Sequence, residues 1–191
     1  MARYEIRIAG FGGQGVMTAG YILGQAACLF DGKNAAQTQS YGPEARGGAC
    51  ASEIVISKDP IDYPKVIKPD VLVAMSQEAY LEYCGDIKDG GLIILDKDLV
   101  SVEDRRRGVR YTEIPSTAVA EELGSKVVAN IVMLGSLVSL TGVVSREAIM
   151  RSVKERFPKH AELNLSALEK GMELGSTSRF DVAAGGRETE L

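Results

Sequence analysis

Gly10-Phe11-Gly12-Gly13-Gln14-Gly15 follows the apolar alternation of Tyr4, Ile6 and Ile8. It precedes a run in which Val16, Ala19, Ile22, Leu23, Ala26, Ala27 and Phe30 recur at spacings of three and four. The apolar period changes from two to 3.6 across the glycines, so the stretch reads as strand, tight turn, helix. Glycines serve where a chain reverses sharply, takes up positive φ, or lets another backbone or a ligand approach without a Cβ in the way. With Gln14 opening the helix, unpaired N–H groups and the helix dipole favour an anion or a carbonyl group in the turn.

Gly10, Gly12 and Gly15 satisfy G-x-G-x-x-G, which raises a dinucleotide-binding unit as the first hypothesis. Such a unit also wants an acid about 20 residues on, at the end of the second strand, for the ribose hydroxyls. Asp31 has that separation but sits before Gly32, in the turn leading into the strand, and the strand itself ends in Gln37, Thr38, Gln39 and Ser40. The acid is misplaced for NAD, which leaves a strand-to-helix turn of an α/β fold as the structural reading.

The remaining chain agrees with that fold class. Asn34–Gln39, Cys50–Ser57, Asp70–Met75, Leu92–Leu95 and Arg110–Ile114 read as strands, the third and fourth almost wholly apolar, as strands covered on both faces are. Ser76 caps a helix through Tyr83, Ser116 or Thr117 starts one through Leu123, and Ser145 caps one running to Phe157. Residues Val127–Thr141 are apolar nearly all round, with small residues interspersed, and predict a buried or interfacial helix. Gly20 and Gly24 weaken the first helix and imply close packing against it. Ala161, Leu165, Leu168 and Met172 mark a last helix. The expectation is one α/β domain over residues 1–175, a three-layer α/β/α sandwich around a mostly parallel or mixed, Rossmann-like sheet with a helical C-terminal third. Residues 176–191 read as a tail, disordered from Ala183.

Composition narrows the function. In 191 residues, 22 Lys and Arg stand against 26 Asp and Glu, and a net charge of −4 gives no broad attraction to nucleic acid or anionic membrane. Cys28, Cys50 and Cys84 are scattered, and only His160 accompanies them, so no zinc or iron–sulfur site can be assembled from this chain alone. Each cysteine reads as a small buried apolar residue in a reducing cytoplasm. No apolar run approaches the length of about 20 residues that crosses a bilayer. The cluster Asp104-Arg105-Arg106-Arg107 reads as a solvated turn.

Two polar features stand out. Residues 37–48, Gln-Thr-Gln-Ser-Tyr-Gly-Pro-Glu-Ala-Arg-Gly-Gly, hold almost no large aliphatic side chain. They fit a polar hairpin connection, or a loop whose Arg46, held between glycines, forks onto a carboxylate or phosphate. Asn130 is an isolated amide in an apolar helix and must find a partner, a loop backbone before a bound molecule.

Gly-Phe-Gly-Gly-Gln-Gly-Val at 10–16, Gln-Ser-Tyr-Gly-Pro-Glu-Ala-Arg-Gly-Gly at 39–48 running into Ser-Glu-Ile-Val-Ile-Ser, and Asn130 opening an apolar helix together resemble the gamma subunit of 2-oxoacid:ferredoxin oxidoreductases, over about 175 residues. The form of the second motif is similar to the 2-oxoglutarate and branched-chain 2-oxoacid members. The resemblance implies a role in an enzyme, not catalytic as this chain alone, that decarboxylates a 2-oxoacid to an acyl-CoA and reduces ferredoxin. It implies alpha, beta and delta partner subunits, with thiamine diphosphate, Mg and [4Fe-4S] clusters held elsewhere in the complex, and this chain on the coenzyme A side. It assigns Gly12, Gly13 and Gln14 as backbone donors at a helix N-terminus, and Tyr41, Glu44 and Arg46 as a loop docked near the acyl-transfer site. It implies no metal ligand here, and self-association of the chain when isolated. The competing reading is a free-standing nucleotide-binding domain or small NAD-dependent enzyme.

Overall fold

A computed structural model describes residues 3–41 and 48–182. Within these residues seven strands form one sheet: β1 (Tyr4–Gly10), β2 (Asn34–Tyr41), β3 (Cys50–Ser57), β4 (Val71–Ala74), β5 (Leu92–Asp96), β6 (Arg110–Ile114) and β7 (Asp181–Val182), in the order β2-β3-β1-β4-β5-β6-β7. The sheet is of the mixed kind. β1, β4, β5 and β6 run parallel, while β3 lies antiparallel between β1 and β2, and β7 antiparallel to β6.

Among the described residues six α-helices cover it: α1 (Val16–Gln25, prolonged by a π turn over Ala26–Phe30), α2 (Gln77–Tyr83), α3 (Ser116–Glu122), α4 (Ala129–Thr141), α5 (Arg146–Arg156) and α6 (Ala161–Thr177). The two faces are unequal. Ile6, Ile8, Ile54, Ile56, Val71, Val73 and Ile94 pack under α1, α4, α5 and α6 in the larger core. Ala9, Ala51, Leu72, Ala74 and Ile93 meet α2 through Ala79, Tyr80 and Tyr83 in a smaller one. Period-two alternation along β1 and β3 produces this division, and it also aligns Arg7 with Glu53 across the strands. Arg7 donates to Glu53 (2.7 Å) and Asp86 (2.8 Å) and lies over the Tyr83 ring, a nearly buried ion pair on the smaller face.

Several expectations change. The strand after α1 goes to the sheet edge and not beside β1, which removes the second parallel neighbour on which a dinucleotide-binding unit relies. Asp31 is used structurally, accepting from the Ser145 N–H (2.8 Å) and hydroxyl (2.6 Å) at the start of α5. The Arg105–Arg107 turn is riveted, not merely solvated. Arg105 bridges Glu113 and Asp181, and Arg106 donates to the Gly85 and Ile87 carbonyls and to Asp89. Cys50 is buried but Cys28 is exposed, because it falls on the outward side of the π turn. α6 runs to Thr177 and Asp181–Val182 pairs with β6, so 176–182 belong to the fold; residues 183–191 lie outside the described residues. No helix among the described residues is long and apolar enough to cross a membrane.

The helical layer depends on backbone-to-backbone approach. A Cβ at Gly171 would run into the Val132 carbonyl and one at Gly135 into that of Leu168, so α4 and α6 touch through glycine, with Ser136 Oγ donating to Gly171 O at 2.8 Å. Gly20 is likewise required, by Ser52 of β3, whereas Gly24 has only an ordinary contact with Ala35.

Candidate functional site

The glycine turn leaves β1 at the carboxyl ends of the parallel strands, where α1 departs over one face and α2 covers the other. Open α/β sheets leave a crevice at such a point. Gly15 takes φ 74° as the N-cap of α1, and Gly13 φ 101°. Gln14 does not open the helix. Its N–H donates to Phe11 O (3.3 Å), its Oε1 accepts from the Phe11 N–H (2.9 Å), and its Nε2 donates to Met75 O (2.7 Å) at the end of β4. Its side chain is thus a strap across the turn, and a Cβ at Gly10 would collide with it. Gln14 therefore offers no free backbone donor, and its part is to shape the turn.

Gly15 is hemmed in by Asn130, whose Nδ2 donates to Gly15 O at 3.0 Å. The isolated amide has found a loop backbone, as its surroundings required. Gly12 and Gly13 differ: a Cβ on either meets nothing within 4 Å. Gly13 is explained by its positive φ. Gly12 has neither a positive φ nor a crowding neighbour in the described chain, and neither N–H has an acceptor among the described residues. These two backbones face open space.

Beside Gly13 lies a crevice of about 340 Å³, lined by Gly13, Gln14, Met75, Leu99, Thr117 and Val127, with Gly12 next to it in the turn. Asp96, wholly buried at the end of β5, accepts from Ser116 Oγ (2.5 Å) and Thr117 Oγ1 (2.7 Å) and so anchors the start of α3 in the wall. Lys126 is the one formally charged residue among the described lining, and its ion pair with Glu121 (2.6 Å) holds its ammonium pKa above the ordinary value. Around the rim Phe11 (47% exposed), Leu99 (40%) and Val127 (78%) leave apolar surface in solvent. A larger groove, about 620 Å³, opens at the far end of α4, but it is bordered by the Arg146–Glu169 ion pair and lies remote from the glycine turn.

Of the expected site residues, Gly12, Gly13 and Gln14 are together at the turn. Tyr41 is the last residue of β2, paired with Cys50 of β3. Glu44 and Arg46 lie outside the described residues, in the connection between these two hairpin strands. Met75, Leu99, Thr117, Lys126 and Val127 went unnoticed in the sequence. The residues following strand ends, Met75 after β4 and the segment after Asp96, carried the available signal; Lys126 and Val127 carried none. Among the described residues no group of three His, Cys, Asp or Glu side chains is placed to hold a metal ion.

A profile described as pyruvate ferredoxin/flavodoxin oxidoreductase matches residues 5–174. The chain is 55% identical over 175 residues to the 2-oxoglutarate synthase subunit KorC of Methanocaldococcus jannaschii, covering 90% of this chain and 94% of that one. Its fold is similar to the gamma subunit of a keto/oxoacid ferredoxin oxidoreductase from Geobacter sulfurreducens, with TM-score 0.86, 43% identity, and coverage of 94% of this chain and all of the other. It is also similar to the 2-oxoglutarate:ferredoxin oxidoreductase of Magnetococcus marinus, solved with 2-oxoglutarate, coenzyme A and succinyl-CoA bound. There the TM-score is 0.82 at 27% identity, over 92% of this chain and 31% of that longer one.

Proposed function

The chain belongs to the pyruvate ferredoxin/flavodoxin oxidoreductase family, as a gamma subunit of a 2-oxoacid:ferredoxin oxidoreductase, and from that premise we propose that its glycine turn forms part of the coenzyme A site of a complex acting on 2-oxoglutarate. The free-standing NAD-dependent enzyme is not favoured, since the strand order lacks that unit's layout. The observation that carries the reading is Gly12, an open-faced glycine that neither φ nor packing explains, beside the open Gly13. A phosphate or thioester carbonyl approaching closely is a use for such backbone.

In this reading coenzyme A is the acyl acceptor and thiamine diphosphate, Mg and [4Fe-4S] clusters reside in sister subunits of alpha, beta and delta type, which deliver electrons to ferredoxin. This chain's residues bind and orient. The N–H groups of Gly12 and Gly13 face the acceptor, Gln14 holds their geometry, and Lys126 adds positive charge at the rim. Tyr41, Glu44 and Arg46, in the sequence joining β2 to β3, are assigned contacts with the partner and the acceptor, with Arg46 binding a phosphate or carboxylate. The apolar rim of Phe11, Leu99 and Val127 is covered by the partner, which excludes water from the crevice.

Calorimetric titration with coenzyme A, on the assembled complex and on this chain alone, tests the reading, with Arg46→Ala beside each. The complex should bind and Arg46→Ala should weaken it about tenfold, roughly 1.4 kcal/mol, while the isolated chain binds poorly. Unchanged affinity and turnover on loss of Arg46 would remove the loop from the site.

A further inference from the structure

The two edges of the sheet are guarded unequally. β7 is two residues long, and its Asp181 is engaged by Arg105. β2 is eight residues long and, among the described residues, has no strand beyond it. Its register with β3 runs unbroken from Asn34 opposite Ser57 to Tyr41 opposite Cys50, so no bulge turns the edge away. Its sequence, Asn-Ala-Ala-Gln-Thr-Gln-Ser-Tyr, holds no charge and no proline. Proteins avoid leaving so long and regular an edge in solvent, because its outward N–H and C=O groups are a template for another strand.

Beside this edge, on the helical face, runs a groove of about 340 Å³ between Tyr21, Gly24, Cys28 and Leu29 on one side and Ala35 and Gln37 of β2 on the other. Its lining carries no formal charge. The π turn brings Leu29 to its border, where Leu29 is 65% exposed and Tyr21 51%. Gln37 is tied inward, its Nε2 donating to Ser52 Oγ (2.7 Å) and Met17 O (3.1 Å), and does not fill the groove. Gly24 holds it open. Gly24 lies within α1 without a positive φ, and a Cβ there would meet only the Ala35 Cβ, at 4.0 Å. Neither conformation nor internal packing requires a glycine that weakens the helix.

An open edge strand beside a helix-lined groove is an arrangement that takes up an extended peptide: main-chain hydrogen bonds supply affinity, and the groove accepts one of the peptide's alternate side chains. We propose that β2 is extended in the assembled oxidoreductase by a strand of a sister subunit, which places a large apolar side chain in the groove at Gly24. A second copy of this chain suits the site less well, since residues 34–40 hold no aliphatic side chain larger than alanine and bring little to fill it. A chain that works as a subunit has a permanent partner to cover such an edge, so it can do without the charges, prolines and bulges that guard solitary domains. The proposal does not depend on coenzyme A binding at the glycine turn.

The test compares hydrogen exchange of this chain alone, at low concentration, with exchange in the assembled complex. Amides of β2 that point away from β3 should exchange at least tenfold more slowly in the complex. Gly24→Leu, for which the chain itself has room, should leave the thermal midpoint of the isolated chain unchanged or raised, and should weaken its association with the remaining subunits about tenfold. Leu29→Glu sets a charge at the border of the groove and serves in the same measurement if Gly24→Leu does not fold. The proposal is overturned by β2 amides that exchange as fast in the complex as in the free chain, or by a folded variant that assembles as the unmodified chain does. It is equally overturned if exchange of β2 slows in the isolated chain as its concentration rises, which would assign the edge to a second copy.

Discussion

Gln14 does at residue scale what the glycines around it cannot do for themselves. Its amide ties the Phe11 N–H to the Met75 carbonyl, joining β1 to β4 across the mouth of the crevice. Gln14→Leu keeps the volume but leaves both backbone groups without a partner, and should lower stability by about 1–3 kcal/mol in chemical denaturation. Nothing in the sequence distinguishes a glutamine pointing to a ligand from one folded back on its own turn, which is why its role was misread. Asn130 was legible, because an amide in an apolar helix has few ways to avoid an unsatisfied group. Arg7 makes a second prediction at this scale. Replacing it by Met strands Glu53 in a nearly buried position, and a loss of about 3–5 kcal/mol is expected, with the Glu53→Gln, Arg7→Met pair recovering part of it.

Among elements, α4 and α6 decide how tightly the helical layer closes. The sequence announced α4 as buried through its small residues, but not its partner, since Gly171 and Gly175 sit among the polar and apolar positions of an ordinary amphipathic helix. Gly171→Ala should cost about 1–3 kcal/mol, as its methyl must push the Val132 carbonyl away. The contact between α1 and α5 carries a pH dependence. Burial raises the Asp31 pKa, but hydrogen bonds from Ser145 and the Lys33 ammonium outweigh it, leaving the folded value below 3.8. A depressed folded pKa means the stabilisation is present at neutral pH and is lost as pH falls below 3.8 toward that value. Asp31→Asn should therefore reduce the thermal midpoint at pH 7, and the gap to the unmodified chain should shrink on acidification. The positions of β1 to β6 were legible to within a residue or two, whereas β7 was hidden in what reads as a tail. The order of the strands was not, because short apolar strands carry no mark of their neighbours, and the placing of β2 at the edge follows from the hairpin with β3.

The whole molecule is a sandwich with an unfinished end. Its described helices and strands pack against one another, while Phe11, Leu99 and Val127 leave apolar surface around the crevice at the strand ends. The isolated chain should self-associate in sedimentation at rising concentration, and Val127→Glu should reduce that association without lowering the thermal midpoint. That a partner is needed was readable from what the composition lacks. Which surface meets it was not, since the rim residues Phe11, Leu99 and Val127 come from three separate segments and converge only in the fold. The most direct test is the coenzyme A dissociation constant of the assembled enzyme carrying Gly12→Val, a substitution the chain itself has room for. A rise of tenfold or more with an unchanged thermal midpoint is expected; an unchanged dissociation constant would mean that nothing approaches the open backbone at Gly12, and the glycine turn would be scaffold alone.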